Sequence, residues 1–591
     1  MFVHSNHYVA ARAKYFFAAI LTLVVLSSIF FGLVYTSAAE VAAPPGASTR
    51  VKVTVPESMQ TAPFDVDRFL NVPPNFSAAV YARIPKARFM AIAPNGDLLV
   101  SQPATGKVLL VQPNKDGDPI ISDFVADLRR PHDIVFHTID GTTYVYIAET
   151  HQINRYTYTN GDTIGQNREV LITGLPDSST PELRGAYGHE LKNIALDGNN
   201  KLYVSIASTC NACIEDTISD PIRSAIYQYD ADGSNQRLFA QGLRNATGLD
   251  FIPGTNELWV TVNNRDNIGY PFNDDWDGDG SNDYGKIIPS YVDNHPPDEF
   301  TKVRDGGNYG WPFCNPNPNS ASGYNDMPYD LDVQINPDGE VDCNAMDRIN
   351  QGIQAHSAPL GLTFLQDTNF PEPYRQGVTI GYRGSWNRTV KTGYKVAYFP
   401  WDSATQTPGD QIDLVTGWLN DETQEVWGRP VDVAVDSEGN MFVSDDTSGT
   451  IYKVTYTPPT GPTPTPSVFL PLISNITLIN ADSDMPISEF DPLENGATID
   501  LSTLPTNHLS IRANPDPAEV GSVRFTYDGD TNYQLENHVP YAIAGDSQGG
   551  ENYNAWTPTV GSHTLVVTPY TEAQAQGAVG MALTVSFEVT E

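Results

Sequence analysis

Seven short stretches place a cation or an imidazole where chemistry could be done: Arg88, Arg129-Arg130-Pro131-His132, His189, Arg244-Asn245, His356, Arg388 and Arg429. An imidazole exchanges protons near neutral pH, and a guanidinium pairs with a carboxylate through two hydrogen bonds. All but Arg388 immediately precede an alternating apolar strand, so side chains far apart in sequence could converge on one funnel at the strand ends. The bland reading of any single one is a residue that locks a neighbouring carbonyl. Their common placement favours a shared site for a small ligand with several carboxylates.

A second constellation is Asp275-Trp276-Asp277-Gly278-Asp279-Gly280, followed by Asp283. Alternating carboxylates with a turn glycine read as the first half of a calcium loop, and the alternative is a solvated acidic loop. The twelfth position is Lys286 and not a bidentate Glu, so Asp283 is the substitute ligand. Of the four cysteines, the close spacing of Cys210 and Cys213 predicts one bridge and leaves Cys314 for Cys343. Ile214 after the second cysteine, in place of His, argues against covalent haem.

The elements that must position these residues are written six times. A strand, a Pro/Asp/Gly turn and a second strand recur at residues 89–100, 132–147, 191–206, 248–262, 359–381 and 431–444. One such hairpin cannot bury its apolar face alone, whereas six arranged radially cover one another. The expectation is an all-β chain: a six-bladed β-propeller over residues 77–456, with a stretch of about ninety residues between the fourth and fifth copies lining one face.

Lys plus Arg number 34 against 71 Asp plus Glu, a net charge of −37 that repels phosphate backbones and argues against nucleic acid as a partner. Residues 1–39 hold a weakly basic start, an apolar run and a small-residue stretch, read as a signal peptide or a membrane anchor, hence a secreted or extracytoplasmic protein. Residues 40–76 form an N-terminal extension. After Tyr456 the Pro/Thr-rich stretch 457–467 is an extended spacer, and residues 468–591 alternate like an immunoglobulin-like β-sandwich. That sandwich is a spacer or a module for surface glycan.

Six ordered segments carry a family resemblance: Gly188-His189 before Leu202-Tyr203-Val204, Leu243-Arg244-Asn245, Val262-Asn263-Asn264-Arg265-Asp266, Gly306-Gly307-Asn308-Tyr309-Gly310-Trp311-Pro312, Gly384-Ser385-Trp386-Asn387-Arg388 and Gly428-Arg429-Pro430. Over residues 77–456 the chain resembles the soluble quinoprotein glucose/sorbosone dehydrogenase family. The resemblance implies a six-bladed propeller that binds pyrroloquinoline quinone with calcium. Ser208 to Cys213, where the glucose type has an acidic substrate contact, is more similar to the sorbosone branch. The resemblance implies His189 as general base and Arg244 as the group that stabilises charge on the reduced quinone. It further assigns Asn245, Arg388 and Arg429 to the cofactor's polar edge, where Asn387 of the same matched segment and the strand-flanking Arg88, Arg130, His132 and His356 are expected to join them. Backbone carbonyls at Asn264 and Arg265 would ligate calcium, although the glucose type has Gly-Pro there. The implied partners are a sugar substrate and an external electron acceptor. A calcium-dependent lactonase-like propeller and a non-catalytic secreted binding protein are the competing readings.

Overall fold

The computed structural model describes residues 46–365, 368–402, 405–458, 471–516, 519–547 and 552–591. The proposed export segment and most of the proposed spacer lie outside them. The chain divides into two compact units, one ending at Pro459 and the other beginning at Thr460.

In the first unit each copy of the sequence phrase supplies the first two strands of one antiparallel sheet. These pairs are Met90–Ile92 with Leu98–Gln102, Ile134–Ile139 with Thr142–Ala148, Ile194–Leu196 with Lys201–Ile206, Ala246–Phe251 with Leu258–Val262, Pro359–Leu365 with Gly377–Tyr382, and Pro430–Val435 with Met441–Asp445. The first strands pack against one another in ring order, and the one in the last sheet returns to that in the first. The result is an all-β, propeller-like fold. Leu98–Gln102, Gly377–Tyr382 and Met441–Asp445 are buried along their whole length, because each second strand is covered on both faces by neighbouring sheets. Continuous apolar stretches therefore replace strict alternation there.

Three buried carboxylates tie neighbouring sheets together in pairs. Asp432 accepts the Met90 amide (2.7 Å), Asp133 the Ile194 amide (2.9 Å) and Asp250 the Phe364 amide (3.1 Å). The sixth sheet is thereby joined to the first, the second to the third and the fourth to the fifth. Phe76–Arg83 pairs with Thr450–Tyr456, so a strand from the start of the unit completes the last sheet. Residues 46–75 are more than an extension: Thr49–Lys52 pairs with Phe69–Val72, and Met59, Phe64 and Leu70 enter a core with Trp418, Val443 and Tyr452. The long stretch between the fourth and fifth phrases is partly sheet, since Asp298–Val303 and Ile349–Ile353 are the outer strands of the fourth sheet. Both disulfides, Cys210–Cys213 and Cys314–Cys343, form as the spacing predicts.

The second unit has two sheets. One contains Leu472–Asn480 and Leu509–Asp516, the other Ser522–Tyr527, Gly561–Glu572 and Leu583–Thr590. Ile476, Leu478 and Ile511 from the first share a core with Phe525, Leu565 and Phe587 from the second.

Candidate active site

The leading residues of the six first strands converge on a cavity of about 370 Å³. Arg88, Arg130, His132, His189, Arg244, Asn245, His356 and Arg429 all line it, each within a few residues of where a first strand begins. A strand start at the ring centre has one direction available to its preceding residue, which explains why the sequence positions coincide in space. Asn264 also lines the cavity.

Three expected residues do not. The Arg388 guanidinium bonds to the Val390 carbonyl (2.9 Å) and the Asp293 carbonyl, outside the cavity lining. Asn387 is not part of the lining either, and its Nδ2 is buried without a partner. The cause is local: Gly384, at φ +92° and packed so that a Cβ would strike the Tyr394 ring, turns the segment so that Trp386 is the side chain at the cavity. The Arg265 side chain turns to Asp332 and Gln334, so its carbonyl is the group it can offer a cation.

Asp298 and Arg383 join the lining without having been singled out from the sequence, as do Asp266 and Trp386, which stand in two of the resemblance segments with no role assigned. Arg383 directly follows the second strand Gly377–Tyr382, and Asn263 follows Leu258–Val262. The ends of second strands, as well as the starts of first strands, therefore signal the site.

His189 is neutral. Its Nδ1 meets the Ser208 carbonyl (3.0 Å) and hydroxyl (2.9 Å). A carbonyl only accepts, so Nδ1 carries the hydrogen and Nε2 keeps the lone pair. Burial, and then the nearby Arg244 charge, pull the His189 pKa down to about 4. Arg244 is buried, with Nη2 3.4 Å from Asp266 and Nη1 bonded to the Asn263 carbonyl (3.3 Å). Burial lowers the proton affinity of His356 as well, but the Asp266 hydrogen bond and the Asp298 charge outweigh it and raise its pKa. Burial pushes Asp298 up to about 6.

Behind the cavity Asp446 takes both Arg88 (2.8 Å) and Arg383 (2.9 Å). Arg429 instead donates to the carbonyls of Arg383 and Gly384. Among the described residues it has no carboxylate at ion-pair distance. Among the described residues, Arg88 Nε and His132 Nδ1 are buried with no hydrogen-bond partner. Arg130 pairs with Glu190, so the unspent donors and the carboxylate-free Arg429 are the groups that fit an anionic ligand with several acceptor atoms.

In the 275–283 loop, carboxylate oxygens of Asp275, Asp277 and Asp283 lie within 4.8 Å of one another. Asp279 is outside this group, and its carboxylate accepts the Ser281 amide (2.7 Å). Among the described residues this is the one grouping of three ligand-type side chains, and none of its members lines the cavity.

The fold and cavity define an all-β, propeller-like protein with a cation-rich axial site. A model of the TrAA12-like family matches residues 70–457, and the chain belongs to that family. An uncharacterized protein of Borreliella burgdorferi is 25% identical over 410 residues, which is 68% of this chain and 94% of that relative. Among solved structures, the holo form of the pyranose dehydrogenase PQQ domain from Coprinopsis cinerea superposes with a TM-score of 0.53 at 20% identity, covering 65% of this chain and 97% of that one. The calcium structure of the Trichoderma reesei carbohydrate-active enzyme of family AA12 gives 0.52 at 19%, covering 65% and 96%. These likenesses show a shared fold.

Proposed function

We propose that the first unit is a six-bladed propeller acting as an exported, pyrroloquinoline quinone- and calcium-dependent dehydrogenase of sugars. The observation that carries this reading is a neutral imidazole, His189, facing a cavity that also holds Arg88, Arg130, Arg244 and Arg429. Support also comes from the likeness to the pyranose dehydrogenase PQQ domain of Coprinopsis cinerea.

In this reading the cofactor's carboxylates are held by Arg88, Arg130 and Arg429, with His132, Asn245 and His356 completing the polar edge. When bound, the quinone supplies the hydride acceptor and calcium polarises it. His189 Nε2 takes the hydroxyl proton of the sugar as hydride leaves the same carbon. Arg244 stands ready to stabilise negative charge that develops during transfer, and needs no reorganisation because Asp266 and backbone carbonyls already orient it. Trp386, 73% exposed and part of the lining, offers an aromatic face to the apolar side of a pyranose ring. Backbone carbonyls of Asn264 and Arg265 are the proposed cavity ligands for calcium, and Asp275, Asp277 and Asp283 a second, structural site. A sorbosone-type substrate preference, an external electron acceptor and an immunoglobulin-like second unit that spaces the enzyme or touches glycan complete the reading.

The test is reconstitution: purified protein is titrated with pyrroloquinoline quinone and calcium, then assayed for dye reduction with a panel of aldoses. Stoichiometric uptake and sugar-dependent reduction are expected. Absence of both overturns the assignment.

A further inference from the structure

We propose that residues 208–211, pinned by the Cys210–Cys213 bridge, are the positioning element of this site, with Asn211 setting where Arg244 and Asp266 stand. Asn211 does not line the cavity, yet it reaches both residues. Its Oδ1 accepts the Asp266 amide (2.8 Å) and Arg244 Nη2 (3.1 Å), and its Nδ2 donates to the Asp266 carbonyl (2.7 Å). Its own carbonyl accepts Arg244 Nε (3.2 Å) and Trp311 Nε1 (3.2 Å). The same short segment holds the imidazole: Ser208 bonds His189 Nδ1, and the Ser208 amide donates to the Arg244 carbonyl (2.8 Å). Thr209 accepts the Gly188 amide (2.8 Å), and a Cβ on Gly188 would sit 3.2 Å from that carbonyl. The far side is anchored through Thr209 to the buried Asp216, itself paired with Arg223 (3.0 Å). Ser208, Thr209 and Asn211 therefore fix His189, Arg244 and Asp266 together, and the bridge at Cys210 closes the loop that carries them.

Cys210 and Cys213 are partly exposed, whereas Cys314 and Cys343 are only 3% and 7% exposed. A dithiol reductant reaches the first bridge before the second. Two electrons and two protons from the dithiol convert the bridge to two thiols while the reductant closes to its own disulfide. The loop, and with it Arg244 and Asp266, is then released.

The inference rests on His189 and Arg244 as the working pair, but its test needs no cofactor. Arg244 and Asp266 are the charged groups that act on the His189 ring from outside its own segment, and Arg244 has the larger effect. Releasing both should move the His189 titration midpoint upward, toward that of a free imidazole. The experiment is a histidine NMR titration of the full chain for Asn211→Ala, for Cys210→Ala/Cys213→Ala, and for Cys314→Ala/Cys343→Ala, with wild type treated with dithiothreitol as an additional arm. An upward shift is expected for the first two variants and for thiol-treated wild type, with no shift when only the buried bridge is removed. In the reconstituted enzyme, kcat should fall on the order of tenfold or more with KM nearly unchanged. An unmoved midpoint in folded Asn211→Ala, or an equal shift from the buried-bridge variant, overturns the proposal. A shift seen in protein that takes up no quinone supports the positioning role and sinks only the dehydrogenase reading.

Discussion

His189 and Arg244 would work in opposition on one proton: burial, and after it the guanidinium that would stabilise developing negative charge, keeps the proton affinity of the imidazole low. The His189 pKa, pulled down to about 4, leaves Nε2 free to accept throughout the neutral range. Activity of the reconstituted enzyme should therefore persist well below pH 6 and fall only as the pH drops toward about 4, where the base becomes protonated. An acid limb near the ordinary imidazole value in a pH–kcat profile would contradict this. His189→Ala should bind the quinone as well as wild type, followed by absorbance, while dye reduction falls about 10²–10⁴-fold. Of the polar cavity residues, the ones preceding first strands were legible in the sequence because repetition marks them. Arg383 was not, since it follows a second strand and the repeat phrase gives those ends no distinctive residue.

At the scale of elements, the sheets are locked pairwise by Asp133, Asp250 and Asp432, whose carboxylates each accept an amide from the next sheet. Asp250→Ala leaves the Phe364 and Phe251 amides without their acceptor, and a loss of about 1–3 kcal/mol in denaturant unfolding is expected. Burial pushes the Asp133 carboxyl up to about 7, above its unfolded value, so its contribution is complete at low pH and is lost as pH rises through about 7. Melting temperature should accordingly decline from about pH 4 to about pH 7, and Asp133→Asn should flatten that slope while lowering stability overall. An unchanged slope in the variant would assign the pH dependence elsewhere. In the 275–283 loop, chelator should lower the melting temperature of wild type but not of Asp275→Asn/Asp277→Asn, whose carboxylates are the exposed members of the trio. Equal sensitivity of both would remove calcium from this loop.

For the molecule as a whole, the two units have separate cores, and every cavity-lining residue belongs to the first. A fragment ending at residue 458 should fold and, after reconstitution, retain kcat within about twofold of the full chain. Loss of activity in a folded fragment would give the second unit a part in catalysis. The net charge of −37 contrasts with the cavity, where guanidinium groups gather around a few shared carboxylates. The acidic surface and the cationic cavity are thus two different environments, and composition alone reports only the first.

The sequence by itself determined the all-β character, the six repeats, both disulfide pairs and the placement of Arg88, Arg130, His132, His189, Arg244, Asn245, His356 and Arg429, because periodicity and spacing are local properties of a chain. Only the tertiary structure decided which way Trp386, Asn387 and Arg388 turn, which carboxylates pair with which guanidinium groups, and that a bridged loop at 208–213 holds the imidazole and the arginine at once. Those depend on a φ at Gly384 and on contacts between sheets tens of residues apart, and no local pattern encodes the angle at which distant strands meet.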